Sequence, residues 1–246
     1  MPGKFIKGAL ISFMPTFIGA LPNVIVFQFN PETISHTWTA ASGDGQTNPM
    51  AGRDPLAARG VPGESFSFTL ALDANDMIAD GDANPVAAGL AVVSGVYTRL
   101  AALEMLQYPT GAFSGPGLLG TVSASISAAG LSLSASASAS SNDASVPRSQ
   151  VPTVLFVWGP QRIVPVRVTT LTINEKLYDT ALNPIHAEVT IGLRVLTPEE
   201  LDAIAGVMKD IAKVAYVYTQ GLRQVQAAAN LGDAAASIIG MLPTPF

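Results

Sequence analysis

The residues in this chain able to do acid–base or metal chemistry are few. There are two histidines, His36 and His186, and no cysteine in 246 residues. Glu188 is the carboxylate nearest to a histidine, sharing one face of an alternating segment with His186. A two-histidine metal site would need that carboxylate, but a solvated polar strand face explains the same pattern with fewer demands. Without cysteine there are no disulfides, thiolate metal ligands or cysteine nucleophile. No G-x-S-x-G elbow, P-loop, dinucleotide fingerprint or H-E-x-x-H motif occurs. The acidic run Asp73, Asp76, Asp80 and Asp82 lacks the glycine and terminal glutamate of a calcium loop, and reads as a solvated loop capping the next helix. No acid, base and nucleophile converge, so the chain reads as a non-enzyme with no cofactor and no metal.

The elements that would position such residues are clearer than the chemistry. Val154–Trp158 is almost wholly apolar, as in a strand buried on both faces. Ile163–Asn174 alternates, setting Val164, Val166, Val168, Thr170, Thr172 and Asn174 on one face. Ile185–Val195 alternates too, with His186 and Glu188 opposite its apolar set. Gly159-Pro160 and Asp179–Pro184 supply the turns. Upstream, Glu64–Leu72 alternates strictly, and Ile34–Ala40 puts His36 and Trp38 on one face. Ser42–Gly63, which includes Arg53 and Asp54, reads as a long exposed loop, a natural contact site.

Two segments have helical period. Val86–Gln107 carries Leu90, Val93, Val96, Tyr97, Leu100, Leu103 and Leu106 on a single stripe. Thr197-Pro198-Glu199-Glu200 has the form of a capping box with proline at the first helical position. Leu201, Ile204, Met208, Ile211, Ala215, Tyr218, Leu222 and Val225 then follow at heptad spacing, a seam that fits either an ordinary sheet-covering helix or a subunit contact. Gly232 is expected to end this helix, with Asp233 capping a short final one. Between the two helical segments, residues 110–149 turn to Gly, Ser and Ala, readable as a linker or as a closely packed small-residue strand.

Only 13% of residues are charged, 48% are hydrophobic and mean hydropathy is +0.37. Globular chains usually devote about 25% of residues to charge. This shortage predicts burial against copies or partners. A net charge of −5 without any basic run argues against a nucleic-acid binder. Met1–Phe27 has Lys4 and Lys7 before an apolar run, but Pro15 and Pro22 interrupt it. It reads as strand–turn–strand, neither signal peptide nor membrane span.

Taken together, Val26–Trp38 (VFQFNPETISHTW), Glu64–Asp73 (ESFSFTLALD), Gly95–Tyr108 (GVYTRLAALEMLQY), Val154–Gly159 (VLFVWG) and Arg162–Leu196 resemble the tube-protein domain of contractile injection systems. The match runs along most of Val26–Leu196 and is similar to the inner-tube initiator that links spike to tube. The resemblance implies an α+β fold, mainly β: an antiparallel β-barrel or sandwich with one flanking helix over residues 1–196. Residues 197–246 form a helical extension. It further implies a homo-oligomeric six-membered ring that touches a spike hub protein, an inner-tube protein and baseplate components. Assembly would take place in the cytoplasm, in a phage-tail-like particle either released or anchored at a membrane. Fuller members of the family carry a C-terminal LysM module; here a heptad helix stands in that place, which puts the usual baseplate attachment in question. Candidate interface residues are Phe29, Asn30, Pro31, Trp38, Arg53, Asp54, Leu201, Met208 and Tyr218. The alternative reading is a β-barrel module enclosing a small apolar ligand.

Overall fold

A computed structural model describes residues 6–16, 19–40, 60–81, 84–108, 121–127, 130–136, 151–204 and 207–241. Its centre is a seven-stranded antiparallel sheet. The strands are β1 (Ala9–Thr16), β2 (Gly19–Val26), β3 (Ile34–Thr39), β4 (Gly63–Asp73), β7 (Val154–Val157), β8 (Ile163–Tyr178) and β9 (Pro184–Val195), in the order β2-β1-β7-β8-β9-β4-β3. A separate two-stranded hairpin, β5 (Thr121–Ser127) with β6 (Gly130–Ser136), lies in the Gly/Ser/Ala region. The architecture is mixed α+β, and the large sheet is not closed. The expected barrel is therefore an open sheet.

It nevertheless curls strongly. Phe156 on β7 packs its ring 5.4 Å from both Phe66 and Phe68 on β4, although β8 and β9 lie between these strands in the sheet. Phe27 adds to the cluster, 5.5 Å from Phe68 and 6.4 Å from Trp158. The period-two pattern of β4 drives this arrangement: Phe66, Phe68, Leu70 and Leu72 are buried while Ser65, Ser67 and Thr69 are not. Each such ring or aliphatic chain, once buried, contributes roughly 1.5–3 kcal/mol. Gly8 passes so close to Phe27 and Trp158 that a Cβ there would lie 2.8 Å or less from both.

β8 corrects the simple alternation. Val164, Val166 and Val168 face inward as expected, but a bulge between Val168 and Thr170 inserts Thr169 opposite no residue of β9. Beyond it the faces exchange. Leu171 and Ile173 now pair with the buried Ile191 and Val189, while Thr170 and Thr172 turn away.

The expected helix Val86–Gln107 is two helices, α2 (Pro85–Ser94) and α3 (Tyr97–Glu104), bent by 97°. The cause is Gly95, with φ +58°. A Cβ there would sit 2.2 Å from the Pro184 carbonyl oxygen, which accepts the Val96 N–H at 2.9 Å. The acidic run supplies another helix, α1 (Ala74–Ala79), whose first turn is capped by the Asp73 carboxylate accepting from the N–H groups of Asn75 and Asp76. The single flanking helix thus becomes three short ones. Val96, Leu100, Leu103 and Leu106 join the aromatic core, while Val93 and Tyr97 stay exposed.

The expected C-terminal helix is also divided, into α4 (Pro198–Asp202) and α5 (Val207–Met241). The capping box at Thr197 and Glu200 is present in both directions. Gly232 does not end α5, since one interior glycine costs only about 1 kcal/mol and the helix-favouring runs Ala227–Ala229 and Ala234–Ala236 lie within a turn on either side. α5 lies on the opposite face of β7 from the aromatics: Leu155 points to Ala215, whereas Val154 and Phe156 point to the core. No single helix among the described residues is long and apolar enough to cross a membrane.

Candidate functional site

The densest meeting of charge and aromatic rings lies where Arg223 of α5, a helix packed on β8, reaches the start of β4 and Trp38 of β3. β4 begins its inward-facing row with a carboxylate, Glu64, only 4% exposed. A buried charge is tolerated only when paired, and two groups attend to this one. Arg223 of α5 grips both oxygens in a fork, Nη1 to Oε2 at 3.0 Å and Nη2 to Oε1. His36 Nε2 lies 2.8 Å from Oε1. The His36 ring stacks on Phe66 at 4.4 Å and leans on Trp38 at 5.1 Å, and the Arg223 guanidinium covers the Trp38 ring at 4.9 Å. Arg162 lies over the other aromatic wall, 5.3 Å from the centre of Phe66. Burial lowers its pKa, the like charge of Arg223 adds to the effect, and Glu64 opposes both.

Other bonds hold α5 in this position. Thr219, 1% exposed, bridges the Ile163 backbone, accepting its N–H at 3.1 Å and donating to its carbonyl at 2.7 Å. Tyr218 donates to the Pro160 carbonyl at 3.0 Å, and the Gln226 amide to Gln161 Oε1 at 3.1 Å. The arrangement is a mechanical clasp joining a C-terminal helix to an edge strand.

The expected contact residues fall into several places. Trp38 is 47% exposed on β3 and part of the clasp, and Tyr218 is 46% exposed beside it. Phe29 is 43% exposed, and Pro31 is partly covered. Asn30 is exposed, yet both ends of its amide are engaged: Oδ1 accepts from Gly8 N–H and Nδ2 donates to the Ile6 carbonyl, each at 2.9 Å. Its role is to pin the N-terminal segment. Leu201 is fully buried with Leu196 and Ala212, so it is a core residue and not a contact residue. Arg53, Asp54 and the Met208 side chain lie outside the described residues.

The heptad seam also needs correction. The side of α5 against the sheet is Ala212, Ala215 and Thr219, whose small size allows close approach, while Ile211, Tyr218 and Val225 are on the solvent side. His186 and Glu188 do not converge on a site: Glu188 pairs with Lys176 at 2.6 Å and His186 faces Asp73 at 3.6 Å. Among the described residues no three His, Asp or Glu side chains are placed to hold a metal.

Sequence reasoning missed Glu64, Arg162, Arg223 and Gln28. Glu64 had a signal, being the one charge on the inward row of β4. Arg223 had one too, as the lone charge between Val214 and Leu231. Gln28 extends the first motif inward, its amide exchanging bonds with the Asp73 N–H and carbonyl at 3.0 and 2.8 Å. No family model and no curated protein matches the chain.

Proposed function

We propose that this chain is a structural adaptor, a ring-forming subunit that joins the spike hub of a contractile injection particle to its inner tube. The observation that carries the reading is the open sheet, neither edge of which pairs with a further strand among the described residues, with Arg99 of α3 donating to one β2 carbonyl, that of Val26, at 2.9 Å. Among the described residues β2 pairs only with β1 and β3 only with β4. Neither GALPNVIV nor ISHTWT contains a charge. Edge strands of solitary proteins are usually guarded by lysine, bulges or a covering element, because a bare edge recruits other strands. Val24 and Val26 at one edge and Trp38 at the other are 42–49% exposed. Two different edges meeting head to tail give a closed ring when the rotation closes.

The packing of the sheet interior also favours assembly over ligand storage. Phe27, Phe66, Phe68 and Phe156 fill the curl where an apolar ligand would sit. The clasp fits the same role by fixing β3, and with it the edge, against α5. The test is mass measurement and electron microscopy of the purified chain, alone and co-expressed with spike and tube subunits. Six-membered rings carrying a spike on one rim are the expected result. A chain that stays monomeric and joins neither partner overturns the proposal.

A further inference from the structure

A cavity of about 490 Å³ runs beside β2, and the residues that line it fix its position. Residues 23–28 all contribute, although their side chains alternate, with Ile25 and Phe27 buried and Val24 and Val26 exposed. What successive residues of a strand share is its edge, so the cavity is a groove along the free side of β2. Its far wall is made by α1, α2 and α3, through Met77, Leu90 and Ala102 among others. Phe27 gives its N–H to the Gly8 carbonyl, and Val26 lies opposite Ala9. In an antiparallel pair the alternate residues, here Val24 and Val26, then turn their N–H and C=O groups outward. Among the described residues one of these groups is bonded: the Val26 carbonyl accepts from Arg99 Nη1 at 2.9 Å.

We propose that the groove seats β3 of a second copy of the chain, parallel to β2, and that Arg99 guards it until that strand arrives. The inference rests on the ring reading and gives the ring a register. Every neighbouring pair in the seven-stranded sheet is antiparallel, so β2 and β3, first and last in it, run the same way. Rotation about a ring axis preserves that direction, and the seam between copies is therefore parallel. Parallel pairs occur almost wholly where other elements cover them. The helices α1 to α3 supply the cover that β3, exposed from Ser35 to Thr39, lacks in its own chain.

Length and side-chain faces set the register. β3 and the lined part of β2 are each six residues, about 20 Å. Ser35 and Thr37 lie opposite Ser67 and Ser65, on the outer face of β4, and Val24 and Val26 occupy the outer face of β2. A continuous sheet keeps like faces together. Val24 then sits beside Ser35 and Val26 beside Thr37, while the half-exposed Trp38 comes beside Phe27. Strand addition must first free the Val26 carbonyl. Asp76 and Asp80 line the same cavity and can receive the displaced guanidinium. Arg99 thus satisfies the edge of the free chain and delays its pairing.

Because the chain has no cysteine, single introduced thiols in the full-length protein read this seam directly. Under mild oxidation Val24→Cys is expected to link to Ser35→Cys, and Val26→Cys to Thr37→Cys, only when the two chains are mixed. Linking of the exchanged pairs, Val24→Cys with Thr37→Cys and Val26→Cys with Ser35→Cys, shows an antiparallel seam and overturns the proposal. Self-linking of Val24→Cys or Val26→Cys shows two-fold pairing of β2 and overturns it as well. Arg99→Met keeps the bulk of the side chain without its donors and should speed ring formation roughly fivefold, about the worth of one hydrogen bond. An unchanged or slower rate, in a variant with the circular dichroism of the parent, overturns the guard. Rings seen by electron microscopy without the matched links overturn the seat and leave the ring reading standing. A chain that forms no ring overturns both.

Discussion

Arg223 holds Glu64 by both carboxylate oxygens across 159 residues of sequence. Glu64 is buried and Arg223 keeps about a quarter of its side chain exposed. Removing one partner of a fully buried pair costs about 3–5 kcal/mol, because the other is left uncompensated. With Arg223 partly solvated, Glu64→Ala is expected to cost about 2–4 kcal/mol by the same reasoning. Arg223→Ala should do comparable damage by stranding the carboxylate with His36. Hydrogen exchange is the informative check: amides of α5 beyond Thr219 should lose protection in both variants, while the strand core keeps it.

A charge on the bare edge should separate folding from assembly. Thr37 is exposed on β3, opposite Ser65, so Thr37→Lys disturbs little within the protomer. The expected change in stability is within about 0.5 kcal/mol. Ring particles should be lost while circular dichroism and melting stay those of the parent. Unchanged ring formation would rule out β3 as the pairing edge.

Acid should destabilise the fold through a small set of carboxylates. Burial pushes Glu200 up, but the Thr197 N–H and the Arg194 guanidinium outweigh it and leave the pKa below the ordinary glutamate value. The Asn183 side chain, then its backbone N–H, hold Asp179 low, and Lys213 followed by Lys209 does the same for Asp202. A carboxylate whose folded pKa is depressed contributes stability that is present above its unfolded pKa and lost as pH falls through the folded one. Stability should therefore be level above about pH 4.5 and decline below about pH 4. Denaturant titrations across this range check it, and Glu200→Gln should make the decline shallower.

Two glycines of α2, one inside the helix and one at its C-terminal cap, should respond in opposite ways. At Gly89, inside α2, a Cβ has open space, so Gly89→Ala should stabilise by about 0.5–1 kcal/mol. At Gly95 an added Cβ meets the Pro184 carbonyl, and φ is in the left-handed region. Gly95→Ala should cost more than about 2 kcal/mol, by strain and by loss of the Val96 N–H bond. Thermal melts of the two variants compared with the parent decide both.

How much of this was legible beforehand depends on the range of the interaction responsible. The alternation of β4 and β9, the capping box at Thr197 and the two-sided burial of Val154–Val157 are local patterns, and they read correctly. The break at Gly95 depends on a carbonyl from Pro184, almost ninety residues on, which no helical periodicity reveals. The bulge at Thr169 is likewise decided by the partner strand, so simple alternation kept Thr170, Thr172 and Asn174 on the face of Val164, Val166 and Val168, where the structure exchanges the faces. The clasp was invisible because Glu64, His36 and Arg223 lie on three separate elements. Leu201 was misplaced because a heptad position looks alike whether it faces a neighbour or the chain's own core.

The aromatic stack across the sheet has a consequence for how the chain reaches its native state. β3 and β4 form a hairpin made early in synthesis, with Phe66 and Phe68 on one side. Their neighbours in the sheet and in the stack, β9 and Phe156, are made much later. Phe27 and the helices α1 to α3 can cover part of that face, but the hairpin must wait for the rest of its cover until most of the chain has emerged. Pairings this distant in sequence fold slowly and expose surface that aggregates. The yield of intact protein should thus be governed by the interval between making β4 and completing β9, and slowing synthesis between them should lower it.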